Sequence, residues 1–511
     1  METSRKKRIL LAVATAVFAF IGLGAWAIAS PVGAAPDDDF HLASIWCGLG
    51  EREGLCELGD EANERTVPER LIEASQCFAH VHTKSADCDI SDEPTVSTER
   101  GNFMGNYPPL YYSVLGVLAG PDITVSTVLM RLFNVAIFVG AVSATLALLK
   151  PGQRGPMIWG AVATLVPLGV FIIPSVNPSS WAVLGGLTVW VATYGFLTAT
   201  SRARLIALGV IALVVGVMGA GARGDSAAYV AFAGFAAAVL SFDRTRTWLT
   251  RAILPLVLCV VAAAFFLSSS QSSEIVREST SSGAGSAIVG ADGAAVAAGG
   301  FELLMRNLLD LPVLWFGSAG IWGLGWLDTP VFPVVWILLI GVLVALPFWG
   351  LRVMTRRKGI VLLLALFALA AIPLYILQGK GVRVGEFVQP RYLLPLLIIF
   401  VSIALFGFAK DHLGLSRTQS ALILLIVAGA NSLSLHNNMR RYISGLGDGG
   451  GFNLNANIEW WWSMPLSPMV VWFVGSAAFA LTLAGLFLIL YPKGERPSAP
   501  LEERAAVIRG M

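Results

Sequence analysis

The 511 residues are 56% apolar and only 13% charged, with a mean hydropathy of +0.71. A soluble domain is about one quarter charged, so the composition excludes one, and the net charge of +2 matters less than where the charges fall. Repeated apolar stretches of about 20 residues, enough to cross roughly 30 Å of hydrocarbon, argue for an all-α bundle, and the scarcity of long period-2 patterns argues against a barrel.

The first apolar stretch, Ile9 to Ser30, follows Arg5-Lys6-Lys7-Arg8. It exceeds the roughly 7–15 apolar residues of a signal peptide, so it reads as an anchor rather than a cleaved leader. Just past it stand Asp37-Asp38-Asp39, then Phe40 and His41. Three adjacent carboxylates at a membrane surface repel one another, and at least one pKa rises unless a cation or proton donor is near. A helix beginning here places Asp37 and His41 on one face at i and i+4, with Asp38 about 100° away. Leu42, Ile45 and Trp46 then form a membrane-facing stripe. Helix capping explains one aspartate, not three.

Cys47, Cys56, Cys77 and Cys88 lie in the same long loop, while Cys259 falls within a span. The even set predicts two disulfides with three pairings open, nearest neighbours (Cys47–Cys56, Cys77–Cys88) being preferred. Without a CxxC spacing, zinc is the weaker reading. Further along, Asn106-Tyr107-Pro108-Pro109-Leu110-Tyr111-Tyr112 predicts a short helix after the prolines, too brief to span. Its tyrosines are either an aromatic belt or a surface for substrate beside the aspartates.

Eleven further spans follow at about 124–149, 156–174, 179–200, 204–221, 226–242, 251–268, 330–350, 359–378, 391–408, 418–435 and 466–491, twelve in all. Alternate linkers and the tail 492–511 collect 21 of the 35 Lys and Arg, and the opposite ones 27 of the 33 Asp and Glu. The positive-inside rule therefore predicts both termini in the cytoplasm and the acidic segments outside. The chain divides into a basic start and first span (1–30), an outer loop with interfacial helices (31–123), and spans 124–268. A second outer loop (269–329) and spans 330–491, with outer loops 379–390 and 436–465, complete it before the tail. The Ser/Gly/Ala-rich stretch Ser268 to Gly300 reads as a mobile loop or as a gate. Gly317 to Asp328, with Trp322 and Trp326, reads as re-entrant or interfacial.

Arg131 lies inside its span near the outer boundary, where an ionisable group is a functional candidate unless it snorkels. Arg391 opens another span within Gln389-Pro390-Arg391-Tyr392, and with Lys380 and Arg383 it makes a basic patch on the acidic face. Such a patch calls for an anion, and forked guanidiniums suit a phosphate. Asn177 sits in an outer Asn-Pro turn, and Arg223 and Asp225 mark another, where they are placed to pair.

These pieces in this order resemble the DUF2142 family of bacterial membrane proteins, grouped with the GT-C glycosyltransferases. The resemblance rests on Pro36-Asp37-Asp38-Asp39-Phe40-His41, Pro108-Pro109-Leu110-Tyr111-Tyr112 and Asn177-Pro178-Ser179. It continues with Gly323-Leu324-Gly325-Trp326-Leu327-Asp328-Thr329 and Gln389-Pro390-Arg391-Tyr392-Leu393-Leu394-Pro395. Asp38 replaces a usual Glu, and Pro390 a usual Gly.

What the resemblance implies is a GT-C-like bundle of the bacterial cytoplasmic membrane. The implied reaction is inverting transfer of a sugar from a polyprenyl-phosphate donor to an extracytoplasmic glycan or protein acceptor. Asp37 maps onto the base, with Asp38 as alternative; Asp39, His41, Tyr107 and Tyr111 give local or acceptor support. Arg131, Lys380, Arg383 and Arg391 map onto the donor phosphate. Asn177, Arg223, Asp225, Trp326, Asp328, Gln389 and Tyr392 are further candidates. The acidic cluster with its histidine is also a candidate divalent-cation site, although many GT-C enzymes need no metal. The expected partners are the bilayer, the lipid-linked donor and the acceptor, with no nucleic acid. A transporter or flippase is the first competitor, against which stand charges at the outer ends rather than mid-membrane and the lack of repeated halves. A non-enzymatic envelope-assembly protein is the second.

Overall fold

The computed structural model describes residues 2–88, 95–269, 288–289, 295–296, 300–447 and 451–492. Helix α1 (Glu2–Ile28) leads into the first loop, which carries α2 (Asp38–Trp46), α3 (Arg70–Gln76) and α4 (Leu110–Gly116). A small antiparallel sheet in that loop joins β1 (Glu57–Leu58), β2 (Arg65–Pro68) and β3 (Thr95–Thr98) in that order, with Glu57 opposite Thr66 and Thr66 opposite Ser97. Both disulfides form with nearest-neighbour pairing, Cys47–Cys56 and Cys77–Cys88.

The bundle continues with α5 (Ile123–Leu148), α6 (Arg154–Thr164), α7 (Leu168–Ile172), α8 (Ser179–Leu197), α9 (Arg202–Ala220), α10 (Gly224–Ser241), α11 (Arg246–Arg251) and α12 (Ile253–Ser268). After the second loop come α13 (Gly300–Phe316), α14 (Pro333–Gly350), α15 (Arg356–Lys380), α16 (Pro390–Ala404), α17 (Arg417–Ile443) and α18 (Pro468–Leu490). Ten helices among the described residues are long and apolar enough to cross a membrane, α11 and α12 counting as one. The other two of the twelve expected spans are not full-length helices. The segment predicted over 156–174 is broken between Thr164 and Leu168, where Pro167 cannot donate to the helical ladder, and α16 has only 15 residues.

α8 is the axis of the bundle, buried along nearly all its length. Small residues let its neighbours approach, as packing in lipid favours. A Cβ on Gly186 would meet the Pro395 carbonyl oxygen at 2.6 Å, and one on Gly185 would meet the Gly219 Cα at 3.4 Å. Peripheral helices instead turn large apolar residues outward, such as Leu363 and Phe367.

The basic linkers meet at one end. The fully buried Lys358 donates to the carbonyls of Gly350 (2.9 Å), Val353 (2.8 Å) and Phe406 (2.8 Å), and Asp411 accepts the Gly152 N–H at 2.7 Å. The first loop covers the other end. Two readings change there. The loop predicted before Gly317 contains the 17-residue helix α13, held to the following outer loop by Asn307, which bonds Val382 O at 3.0 Å and Val384 N at 2.9 Å. The Leu42, Ile45 and Trp46 stripe faces protein rather than lipid, packing fully buried in one cluster with Val67, Leu71, Tyr111, Tyr112 and Trp181. Between Ser269 and Gly300 only Ile288–Val289 and Ala295–Val296, paired antiparallel, are described. The loop and gate readings of this Ser/Gly/Ala-rich stretch otherwise fall outside the described residues.

Candidate functional site

The chain between the end of α1 and Asp37 is held by its carbonyls. Arg131 donates to Ala27 O (3.1 Å), Ser30 O (2.6 Å) and Pro31 O (2.6 Å). Trp462 bonds Ile28 O at 2.7 Å, and Asn438 bonds Ala29 O at 3.2 Å. Trp326 takes Gly33 O at 2.8 Å, and Tyr442 takes Ala34 O at 3.3 Å. Pro36 O accepts from both Asn177 and Arg391 at 2.9 Å. A run that leaves a helix cannot satisfy these carbonyls itself, and side chains from distant elements do so instead. The result is a fixed cradle that delivers Asp37 at one position.

Asp37 occupies the N-cap position of α2 in the left-handed conformation, φ 59°, with no side-chain capping bond. Its N–H···O pattern still closes the helix, since His41 N donates to Asp37 O at 2.9 Å. The carboxylate is thereby directed away from the helix and pairs with Arg391. Arg100 also reaches it, at 3.5 Å. Burial alone would raise the Asp37 pKa, but the charge and hydrogen bond of Arg391, helped by the charge of Arg100, outweigh it and hold the carboxyl below its usual 3.8. About a third of the side chain stays exposed, whereas Arg391 is 2% exposed.

The triplet thus separates. Asp39 forms a fork with Arg100, at 2.8 and 3.2 Å. Asp38 is fully buried; its Oδ2 accepts the Ala35 N–H at 3.0 Å and its Oδ1 is unpartnered. Burial, opposed by the Arg131 charge, pushes its pKa up to about 7. One carboxylate therefore rises, chiefly through burial with repulsion from Asp39 a minor cause, and it is the one without a guanidinium hydrogen bond.

An aromatic and cationic wall stands beside Asp37. His41 shares a 3.0 Å bond with the Tyr112 hydroxyl, and burial lowers its pKa to about 3, so it is neutral at physiological pH. Tyr107 packs edge-on to both His41 and Tyr112. Tyr111 joins Asn134 and Trp181 behind them; neither it nor Tyr112 forms an aromatic belt, because both are buried. Arg391 donates to the Tyr392 hydroxyl at 3.1 Å. Arg223 lies 4.4 Å from the Tyr392 ring centroid and 5.6 Å from that of Tyr107. It forks onto Asp225 at 2.9 and 3.0 Å. Asp37, His41, Tyr107, Arg223, Asp225, Arg391 and Tyr392 are brought together from four separated stretches of chain.

Other candidates lie elsewhere or act indirectly. Arg131 is buried against the carbonyls of the cradle rather than snorkelling outward. The patch predicted from Lys380, Arg383 and Arg391 is divided: Arg391 turns inward, Arg383 is exposed, and Lys380 lies 4.5 Å from the Phe387 ring centroid. Asn177 serves the cradle and also accepts the Ser179 N–H at 2.9 Å. Gln389 precedes α16 with a buried, unpartnered Oε1. Asp328 is bound by Arg441 at 2.8 Å and by His80 N at 3.0 Å. Among the described residues no group of three His, Cys, Asp or Glu side chains is placed to hold a metal ion.

Sequence reasoning missed Arg100, Asn438, Arg441 and Tyr442. Arg440-Arg441 carried a signal, a basic pair on the acidic face, which the early end assigned to that span at 435 obscured. Arg100 carried none. The sequence profile of DUF2142, described as a predicted membrane protein, matches residues 20–400. No curated protein matches the chain.

Proposed function

Because the chain belongs to the DUF2142 family of predicted membrane proteins, we propose that it is an inverting glycosyltransferase of the GT-C type. It moves a sugar from a polyprenyl-phosphate carrier to a cell-envelope acceptor outside the bacterial cytoplasmic membrane, with both termini in the cytoplasm. The observation that carries this reading is the Asp37–Arg391 pair, a part-exposed carboxylate held on a buried guanidinium beside a second buried arginine, Arg223.

In the reaction the acceptor hydroxyl oxygen bonds the anomeric carbon while the bond from that carbon to the phosphate oxygen breaks, its electron pair leaving with the lipid phosphate. Asp37 takes the hydroxyl proton. Its depressed pKa keeps it ionised, and Arg391 restrains it until the donor arrives. The donor phosphate competes for the Arg391 fork, which both anchors the leaving group and frees the carboxylate. Arg391 and Arg223 then stabilise the developing phosphate charge in a poorly solvated setting. Arg131, committed to backbone carbonyls, acts through the cradle. The Asp37–Asn test decides: reconstituted wild-type protein releases lipid phosphate from a polyprenyl-phosphate sugar, and Asp37→Asn lowers that by about 10²–10⁴-fold with expression and insertion unchanged. Unchanged release removes Asp37 from the chemistry. Translocation of the intact sugar-lipid without release replaces transfer with flipping.

A further inference from the structure

A cavity of about 420 Å³ lies between α1, α5, α6 and α18, reaching the end of the bundle away from Asp37. Along α1 its wall runs from Arg8 to Leu23, about 22 Å at 1.5 Å per residue, which is most of the roughly 30 Å hydrocarbon thickness. It is therefore a trough rather than a chamber. Ala12 and Ala147 on its rim are exposed, so it opens sideways into the bilayer.

The lining is apolar with few exceptions. The hydroxyls of Thr15 and Thr482 are spent on their own helices, bonding Leu11 O at 2.7 Å and Ala478 O at 2.9 Å. The lining has two charged residues, Arg8 and Arg154. Both lie at the same end, Arg8 in the first turns of α1 and Arg154 as the first residue of α6. An occupant matching this pattern is long, apolar and tipped by an anion.

We propose that the trough binds a phospholipid with an anionic headgroup from the leaflet at the basic end. Its acyl chain lies along α1, and its phosphate is held by Arg8 and Arg154. Apolar burial supplies affinity that any phospholipid offers. The paired guanidiniums supply the choice, since they favour a headgroup with net negative charge over a zwitterionic one. The site is separate from Asp37 and does not depend on the transferase reading.

The test uses the full-length protein in detergent, with thermal unfolding followed after adding phosphatidylglycerol, phosphatidylcholine or inorganic phosphate. A ligand that binds the folded state raises Tm by mass action. Phosphatidylglycerol raises Tm more than phosphatidylcholine at equal mole fraction, and inorganic phosphate leaves it unchanged. Arg8→Gln/Arg154→Gln keeps the lipid-free Tm and loses the difference between the lipids. The single Arg8→Gln, at an exposed position, reduces that difference without touching the core. Ala16→Trp, which fills the trough, removes the response to both lipids. Equal stabilisation of the wild type by the two lipids overturns the proposal. So does a phosphatidylglycerol advantage that survives in the double variant, or a shift reproduced by inorganic phosphate alone.

Discussion

Asp37, Asp38 and Asp39 are chemically identical and adjacent, yet each meets a different fate because each faces a different partner. Asp38 gives the most direct test of that separation. In the unfolded chain it ionises near 3.8; in the fold its pKa is about 7. Between those values the folded protein holds a proton that the unfolded chain has released, so stability falls as pH rises from about 4 to about 7 and levels off above. The loss is on the order of a few kcal/mol. Asp38→Asn keeps an acceptor for the Ala35 N–H and cannot ionise. The variant gains Tm relative to the wild type at pH 8, with little difference at pH 4; parallel Tm profiles across that range would sink this account. Asp37 behaves in the opposite sense: its contribution is present above 3.8 and is lost only as pH falls through its lowered pKa. A raised carboxylate was expected from repulsion within the triplet, whereas burial is the main cause of the one observed. Which of the three rises was not legible, because the decisive cation, Arg391, lies 354 residues further along the chain.

At the scale of elements, the segment from Ala27 to Pro36 explains several motifs that are not themselves at the reacting position. Trp326, Asn177 and Arg391 come from three separate motifs, and all three bond this one stretch of backbone. Trp326 and Tyr442 are positioning residues, since they bond Gly33 and Ala34 rather than Asp37. A single hydrogen bond contributes about 0.5–1.5 kcal/mol net, so Trp326→Phe and Tyr442→Phe cost little stability. A base displaced by about 1 Å, however, costs about 100-fold in rate. Each variant is expected to lower the turnover of transfer strongly while the KM for donor and the Tm change little. A fall in Tm matching the fall in rate would reassign both residues to simple structural support. The start of α2 was read correctly, but the helix is buried on nearly all sides rather than along one stripe. Its apolar stripe was assigned to lipid because an interfacial helix and a helix buried under a loop share the same pattern. Only α4 and the disulfide-bonded loop, packed against that face, distinguish them.

At the scale of the whole molecule, two ends of opposite character are joined through α17, whose outer end carries the exceptions to the charge pattern. The alternation of basic and acidic linkers was legible because each linker contributes independently. The clamp at Arg441 was not, because α17 runs to Ile443, about two turns beyond the hydropathic limit at 435. Arg441 is fully buried and donates to Phe78 O at 2.6 Å, Lys84 O and Asp328 Oδ2 at 2.8 Å. Phe78 and Lys84 lie between Cys77 and Cys88, so the disulfide closes the loop that the guanidinium grips. One side chain thus ties the first loop, the turn after α13 and the last part of the bundle together, next to the Tyr442 that holds Ala34. Arg441→Met leaves Asp328 buried without its cation, and breaking such a pair costs about 3–5 kcal/mol. The expected result is a large loss of Tm in detergent, with faster proteolysis between Cys77 and Cys88. Adding Asp328→Asn removes the stranded charge, and part of the Tm should return even though the carbonyls of Phe78 and Lys84 stay unpaired. If Arg441→Met unfolds like the wild type, the ion pair is a by-product of packing and the loop is held by its apolar contacts with Tyr442 and Trp326.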